Sequence, residues 1–328
     1  MRSNRRFLVT AIAVLAIAAL LPLATDGFVL HFFTEALILG LFAMSLDLQV
    51  GYARMISFGH AGAYAFGAYA TALILIHLQW ALPWALAGGM LATLTIALPI
   101  GWLCTRGTGV AYAMLTLAFA QLGYAVAYKW QGVTGGSDGL PGIKRIAGPF
   151  AIDWFSSKSG YYYLALVSLF ACFMFCRAFV RSPVGTAVIG IRESEQRAIA
   201  LGYNVRAYRV IVFALSSALA GLAGALYAGF AGFVSPELFF WTVSGHVLVM
   251  TVVGGAGTLI GPVLGALAMF SLEHQLSAIT KSWGFFLGLI FVVFVIFAPQ
   301  GIWGLGAQRF SWRKSTDALP EAERKASA

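Results

Sequence analysis

RSPVGTAVIGIRESEQRAIALGYNVRAYR occupies Arg181–Arg209 and gathers five arginines and two glutamates. The whole chain of 328 residues has only 21 Lys and Arg and 12 Asp and Glu, or 10% charged residues. An ordinary soluble domain carries about 25%. The neighbouring runs, Tyr161–Cys176 before the stretch and Val210–Val234 after it, hold no charge at all. A charged island between long apolar runs reads as a link between two membrane spans, exposed on one face of a bilayer.

Outward from that link the apolar runs continue in both directions. FLVTAIAVLAIAALLPLA (Phe7–Ala24) has the length of a minimal bilayer helix. Ala36–Leu46, Phe58–Ile76, Trp80–Cys104, Val110–Ala127, Phe239–Val253, Leu259–Leu272 and Phe285–Pro299 follow. The second run reaches span length only with Glu35 and Asp47, and the ninth only with Glu273 and His274. The expected fold is therefore an all-α, polytopic integral membrane protein with about ten transmembrane helices. One transmembrane domain covers 1–306, including an outer loop at 130–160 and the inner loop at 181–209. A polar tail at 307–328 is expected to be disordered. The first run is too long for a signal-peptide core and many spans follow it, so it is read as a span.

The net charge of +9 raises nucleic-acid binding. The cations sit between apolar spans, with no aromatic-interleaved patch, so no nucleic-acid partner is expected. The lipid bilayer is the partner they fit. With Met1 inside and sides alternating, 16 of the 21 Lys and Arg fall on the inner face. The outer face keeps Lys129, Lys144, Arg145, Lys158 and Lys281. An even number of spans puts both termini in the cytoplasm.

Small residues recur at helical spacing. Gly59, Ala63 and Gly67 form one row; Ser217, Gly221, Ala225 and Gly229 form another, beside Ala220, Gly224, Ala228 and Gly232. Gly257, Gly261 and Gly265 repeat the interval. Such rows let helix backbones approach closely in lipid. The cysteines, Cys104, Cys172 and Cys176, lack the companions of a metal site and read as packing residues, so no metal is expected.

No GxxxxGK[ST], HExxH or GxSxG occurs, and VVGGAGTLIG (Val252–Gly261) follows a span rather than a strand. The chain is expected to carry no cofactor, no ATP site and no catalytic residue of its own. An ion gradient or another protein must supply energy. That leaves a transporter subunit, a gradient-driven secondary carrier, or a passive channel for a small polar solute.

Two segments read as alike, YARMISFGHAGAYAFGAY near the start and WTVSGHVLVMTVVGGAG in the second half. Both have Gly-His followed by a glycine-broken run, the pattern of paired interrupted spans beside a transport path. Candidate path-lining residues are Ser57, Gly59, His60, Gly62 and Tyr64 in the first, and His246, Gly254 and Gly255 in the second. If the segments are related, His246 lies close to His60. His60 also reads as a neutral histidine bonded to a neighbouring helix's carbonyl. Asp47 and Gln49, at the same inner end, read equally as solvated at the interface or as holding some role. In the outer loop, Thr134, Gly135, Gly136 and Asp138 are candidate contacts for a solute or a docking protein.

In the opening stretch, Pro183 and Gly185 mark the end of a span. IRESEQRAIAL then has helical periodicity, with Gly202 as its stop. It reads as a short amphipathic helix on the inner face, either interfacial or fitted to a cytoplasmic partner.

With SLDLQVGYARMISFGHAGAYAFGAYATAL, GVAYAMLTLAFAQL, VTGGSDGL, GFVSPELFFWTVSGHVLVMTVVGGAGTLIGPVLGA and FAPQGIWGL in the same order, this stretch resembles the LivM-type permeases of bacterial branched-chain amino-acid ABC importers. The likeness runs from about Leu37 to Leu305. It implies a path-forming subunit in the inner (cytoplasmic) membrane. Its implied partners are a second homologous permease, two cytoplasmic ATPases that bind the ATP, and a solute-binding protein outside. It further implies that Glu193–Gly202 is a coupling helix, with Glu195, Ala198 and Gly202 at its core. Arg181, Gly185, Arg192, Glu193 and Arg197 complete the implied ATPase seat. The family pattern carries an acidic residue where this chain has His246. If that position lines the path, the departure puts a typical branched-chain amino acid in doubt; permeases for urea, short amides and aromatic acids look similar, and the resemblance leaves the solute open among these.

Overall fold

A computed structural model of the chain describes residues 22, 27–145, 157–297 and 301–304. The first expected span apart from Pro22, the polar tail and both termini lie outside the described residues. The other nine apolar runs each fall on a helix. In an apolar surrounding every backbone group must be paired within its own segment, and a helix does this.

The helices are α1 (Gly27–Asp47), α2 (His60–Leu73), α3 (Leu82–Cys104) and α4 (Val110–Lys129). A short outer helix, α5 (Gln131–Thr134), follows. Next come α6 (Lys158–Arg181), the inner helices α7 (Pro183–Glu193) and α8 (Glu195–Ala200), and α9 (Val205–Ala231). The chain then forms α10 (Trp241–Gly254), α11 (Ile260–Ile279) and α12 (Trp283–Phe297). α1 and α2 each end in a wider π-turn, Leu48–Tyr52 and Ile74–Leu78. With those turns, six helices among the described residues are long and apolar enough to cross a membrane: α1, α2, α3, α4, α6 and α9. α10 and α12 are shorter, at 14 and 15 residues. On the outer side β1 (Leu140–Pro141) pairs antiparallel with β2 (Phe233–Val234), Leu140 opposite Val234.

α9 is the centre of the bundle and packs chiefly on α2, α3 and α1. Its rows of small residues explain this. A Cβ on Gly224 would overlap the Tyr64 carbonyl, one on Gly67 the Gly221 carbonyl, and one on Gly221 the side chain of Thr93. Backbones touch where a larger residue would hold them apart. α10 and α11 meet in the same way, Gly254 against the Gly261 carbonyl and Gly265 against the Met250 carbonyl. Gly257 is not part of that seam. It lies in the turn between the two helices with φ +83°.

The expected single helix on the inner face is two. Ser182 ends α6, and its hydroxyl caps α7 by accepting from Gly185 N–H at 3.1 Å. Pro183 thus starts a helix as well as following one, as its fixed φ allows. Ser194 is extended and breaks α7 from α8, capping α8 through Arg197 N–H. Gly202, with φ +83°, stops α8 as expected. Tyr203 N–H reaches back to Ala198 O and Gly202 N–H to Ile199 O, the paired closure of a glycine-terminated helix.

Candidate functional site

The first Gly-His segment lies at the middle of a buried polar network. His60 begins α2 and is 2% exposed. Its ring stacks on Phe42 at 5.3 Å, and Nε2 lies 2.8 Å from Ser45 Oγ. Ser45 Oγ donates to Phe42 O at 2.6 Å, so it accepts from His60. The Gln49 amide N lies 3.4 Å from His60 Nδ1 and donates to Ser216 Oγ at 2.9 Å. Its Oε1 accepts from Tyr112 O–H at 2.8 Å, and Ser216 donates to Ser45 O at 2.6 Å. One proton assignment satisfies all of these bonds: a neutral ring with the proton on Nε2 and Nδ1 accepting. The geometry thus holds a neutral histidine, bonded to the Ser45 and Gln49 side chains rather than to the expected backbone carbonyl. The network ties α1, α2, α4 and α9 together, and a closed network of this kind fixes one arrangement of helices.

Gln49 and Asp47, expected near solvent, are both 0% exposed. Interfacial solvation is therefore excluded for them, because neighbouring helices cover this end of α1. Asp47 Oδ1 accepts from Gly257 N–H at 2.6 Å and Oδ2 from Leu259 N–H at 3.0 Å. The visible signal in the sequence was two polar side chains inside an otherwise apolar run. Ser45, Tyr112 and Ser216 gave no signal, since hydroxyls are common in membrane helices.

The candidate path residues divide. Gly59 and Gly62 line a cavity of about 420 Å³ bounded by α2, α3, α4 and α9. Its walls are largely apolar, with Thr93, Thr116 and Ser217 among the lining residues, and it extends to Trp130 and Thr134 at the outer end. Ser57, His60 and Tyr64 are buried but are not among the residues lining that cavity. Gly254 and Gly255 are buried at the inner turn after α10. His246 is exposed on α10. The two Gly-His segments do meet, through Ser244 Oγ accepting from Ala61 N–H at 2.9 Å. The histidine side chains themselves occupy different surroundings.

In the outer loop Thr134 is buried and donates to Ala127 O at 2.6 Å. Gly135 and Gly136 have φ +75° and +61°, a turn that glycine makes at little cost. Asp138 is exposed and accepts from Ser137 Oγ at 3.2 Å.

On the inner face Ala198 packs with Ile191 and Val205 in a small core. Glu195 pairs with Arg209 at 2.8 Å, fastening α8 to α9. Gly185 is buried against the Phe179 and Val180 carbonyls. Arg192 is partly buried and donates to Gly51 O at 2.6 Å. Arg181, Glu193 and Arg197 are exposed. So are Ile199, Leu201 and Tyr203, at 59%, 77% and 44%. Arg106 and Arg206 both stack on Trp102, at 4.2 and 4.6 Å, an amphipathic collar at this level.

Glycine-packed spans, a sealed polar centre and a charged inner loop define a polytopic helical membrane protein. Residues 28–297 match the family described as branched-chain amino acid transport system, permease component, and the chain belongs to that family. It is similar to the high-affinity branched-chain amino acid transport system permease protein LivM of Escherichia coli K12, 28% identical over 89% of this chain and 73% of the relative. LivM of Salmonella typhimurium is 26% identical over 88% and 73%. The autoinducer 2 import system permease protein LsrC of Salmonella typhi is 29% identical over 63% and 61%. No solved structure matches the chain significantly.

Proposed function

We propose that this chain is a permease subunit of an ABC importer in the bacterial inner membrane, passing a branched-chain amino acid or a similar small solute. The family match across residues 28–297 carries this reading. The chain is a transport subunit and not an enzyme. ATP is bound and hydrolysed on two separate cytoplasmic ATPases. A second homologous permease completes the path, and a solute-binding protein delivers from outside to the loop around Asp138.

The exposed apolar tip of α8 and the loop after it, Ile199, Leu201 and Tyr203, supports the ATPase assignment. Large apolar side chains at a charged membrane face suit a protein groove. Arg197 and Glu193 lie beside them to set the seat. The cavity of about 420 Å³ is of a size that takes a small solute. Gly59 and Gly62 form part of its wall, and the second permease closes its open side.

Purification of the tagged chain in mild detergent, followed by mass spectrometry, tests the assembly. Recovery of two P-loop ATPases and a second permease of similar length is expected. A chain that emerges alone and transports in liposomes without ATP overturns the reading in favour of a carrier or channel.

A further inference from the structure

The end of α1, the turn between α10 and α11, and the end of α7 converge on one point. Asp47, the last residue of α1, is 0% exposed. A carboxylate so placed needs its oxygens satisfied. Both are: Oδ1 by Gly257 N–H at 2.6 Å and Oδ2 by Leu259 N–H at 3.0 Å. The turn that supplies these N–H groups is conformationally costly. Leu259 has φ +60°, in the left-handed region that branched side chains avoid, and its side chain is buried. Asp47 and local packing hold that turn in place.

Immediately after Asp47 the helix widens into the π-turn Leu48–Tyr52, a feature frequent at functional sites. Arg192, at the end of α7, bonds to that turn. Its Nη1 donates to Gly51 O at 2.6 Å. The guanidinium also lies against the turn, 3.7 Å from where a Cβ on Gly257 would stand. Gly51 and Gly257 touch through their backbones. A Cβ on Gly51 would lie 2.6 Å from Gly257 Cα and would overlap the Asp47 carboxylate.

We propose that Asp47 and Arg192 are positioning residues that transmit movement of the inner helices α7 and α8 to α1, α10 and α11. This rests on the importer reading above. In it α7 and α8 sit against an ATPase, and the ATPase cycle moves them. Arg192 is then not part of the surface the ATPase grips. It is the inward end of the lever, hooked on a backbone carbonyl. Asp47 passes the displacement on by holding the 255–259 turn to α1. A buried junction held by direct hydrogen bonds carries such movement better than a solvated one, because no water layer absorbs it.

The test uses the complete importer in proteoliposomes, comparing the unmodified chain with Arg192→Ala, Arg192→Lys and Asp47→Asn. The readout is solute delivered per ATP hydrolysed. Arg192→Ala is expected to lower that ratio about tenfold, within the usual range of coupling between sites. Arg192→Lys, which keeps a donor, is expected to restore part of it. A ratio unchanged in Arg192→Ala overturns the proposal. Amide hydrogen exchange on the detergent-purified chain provides a second reading that needs no transport. Asp47→Asn is expected to speed exchange across residues 255–259, and unchanged protection there overturns the tie. Failure of the unmodified complex to take up solute with ATP overturns the importer reading instead, and the transmission role with it. The exchange experiment still decides whether Asp47 holds the turn.

Discussion

The two Gly-His segments begin with the same dipeptide and end in opposite places. His60 is sealed between α1 and α9 with both ring nitrogens within hydrogen-bonding distance of buried side chains, whereas His246 is exposed on α10. The difference comes from their neighbours. The residues facing His60 include Ser45, Gln49 and Ser216, all fully buried. His246 has Gly245 before it, where an added Cβ would meet nothing within 4 Å. A shared dipeptide therefore does not set a shared role. The partner helix decides whether a polar side chain becomes part of the core.

The sharpest test of the core side is Gly221→Leu. The Thr93 side chain fills that space, so relief requires α3 and α9 to separate. A loss of about 3 kcal/mol or more is expected, read as poor recovery of folded protein and a lowered unfolding midpoint in detergent. A midpoint matching the unmodified chain would contradict the backbone contact. His60→Leu comes next, at about 2–3 kcal/mol, since it strands buried donors and acceptors of Ser45 and Gln49. Ser244→Ala removes the acceptor for the Ala61 N–H and is expected to cost about 1 kcal/mol. If it costs nothing, the contact between the two segments is not a structural one.

Smaller effects are expected away from the core. Glu195→Ala with Arg197→Ala opens the half-exposed Glu195–Arg209 pair, about 0.5 kcal/mol, yet should lower uptake severalfold. Normal uptake by the well-expressed double variant would remove α8 from the ATPase seat. His246→Leu closes the series, with stability within about 0.5 kcal/mol of the unmodified chain. A large loss of stability in the isolated chain would erase the contrast with His60.

Much was legible before any fold was known. The charged stretch 181–209 links two long apolar helices, Gly202 stops a helix in it, and the small-residue rows of α2 and α9 meet at Gly67 and Gly221. The inner-turn junction was not legible. Asp47 with Gly51, Arg192, and Gly257 come from three distant parts of the sequence, and each has an ordinary local reading. An aspartate at the end of an apolar run looks solvated, and an arginine in a charged loop looks like a contact for a partner.

The sequence alone determined that the chain is helical and membrane-spanning, where the long apolar helices of the described residues fall, and which segments between them carry the cations. Those follow from local physics: apolar length, charge between spans, and glycine at helix stops. The tertiary structure decided which face of each helix is core and which polar groups are sealed. The reason lies in the solvent. In water an amphipathic stripe marks the buried face, but lipid tails are as apolar as a protein interior. Nearly uniform helices such as α10 carry no such stripe. Only contact with α1, α2 and α11 tells Ser244 from His246.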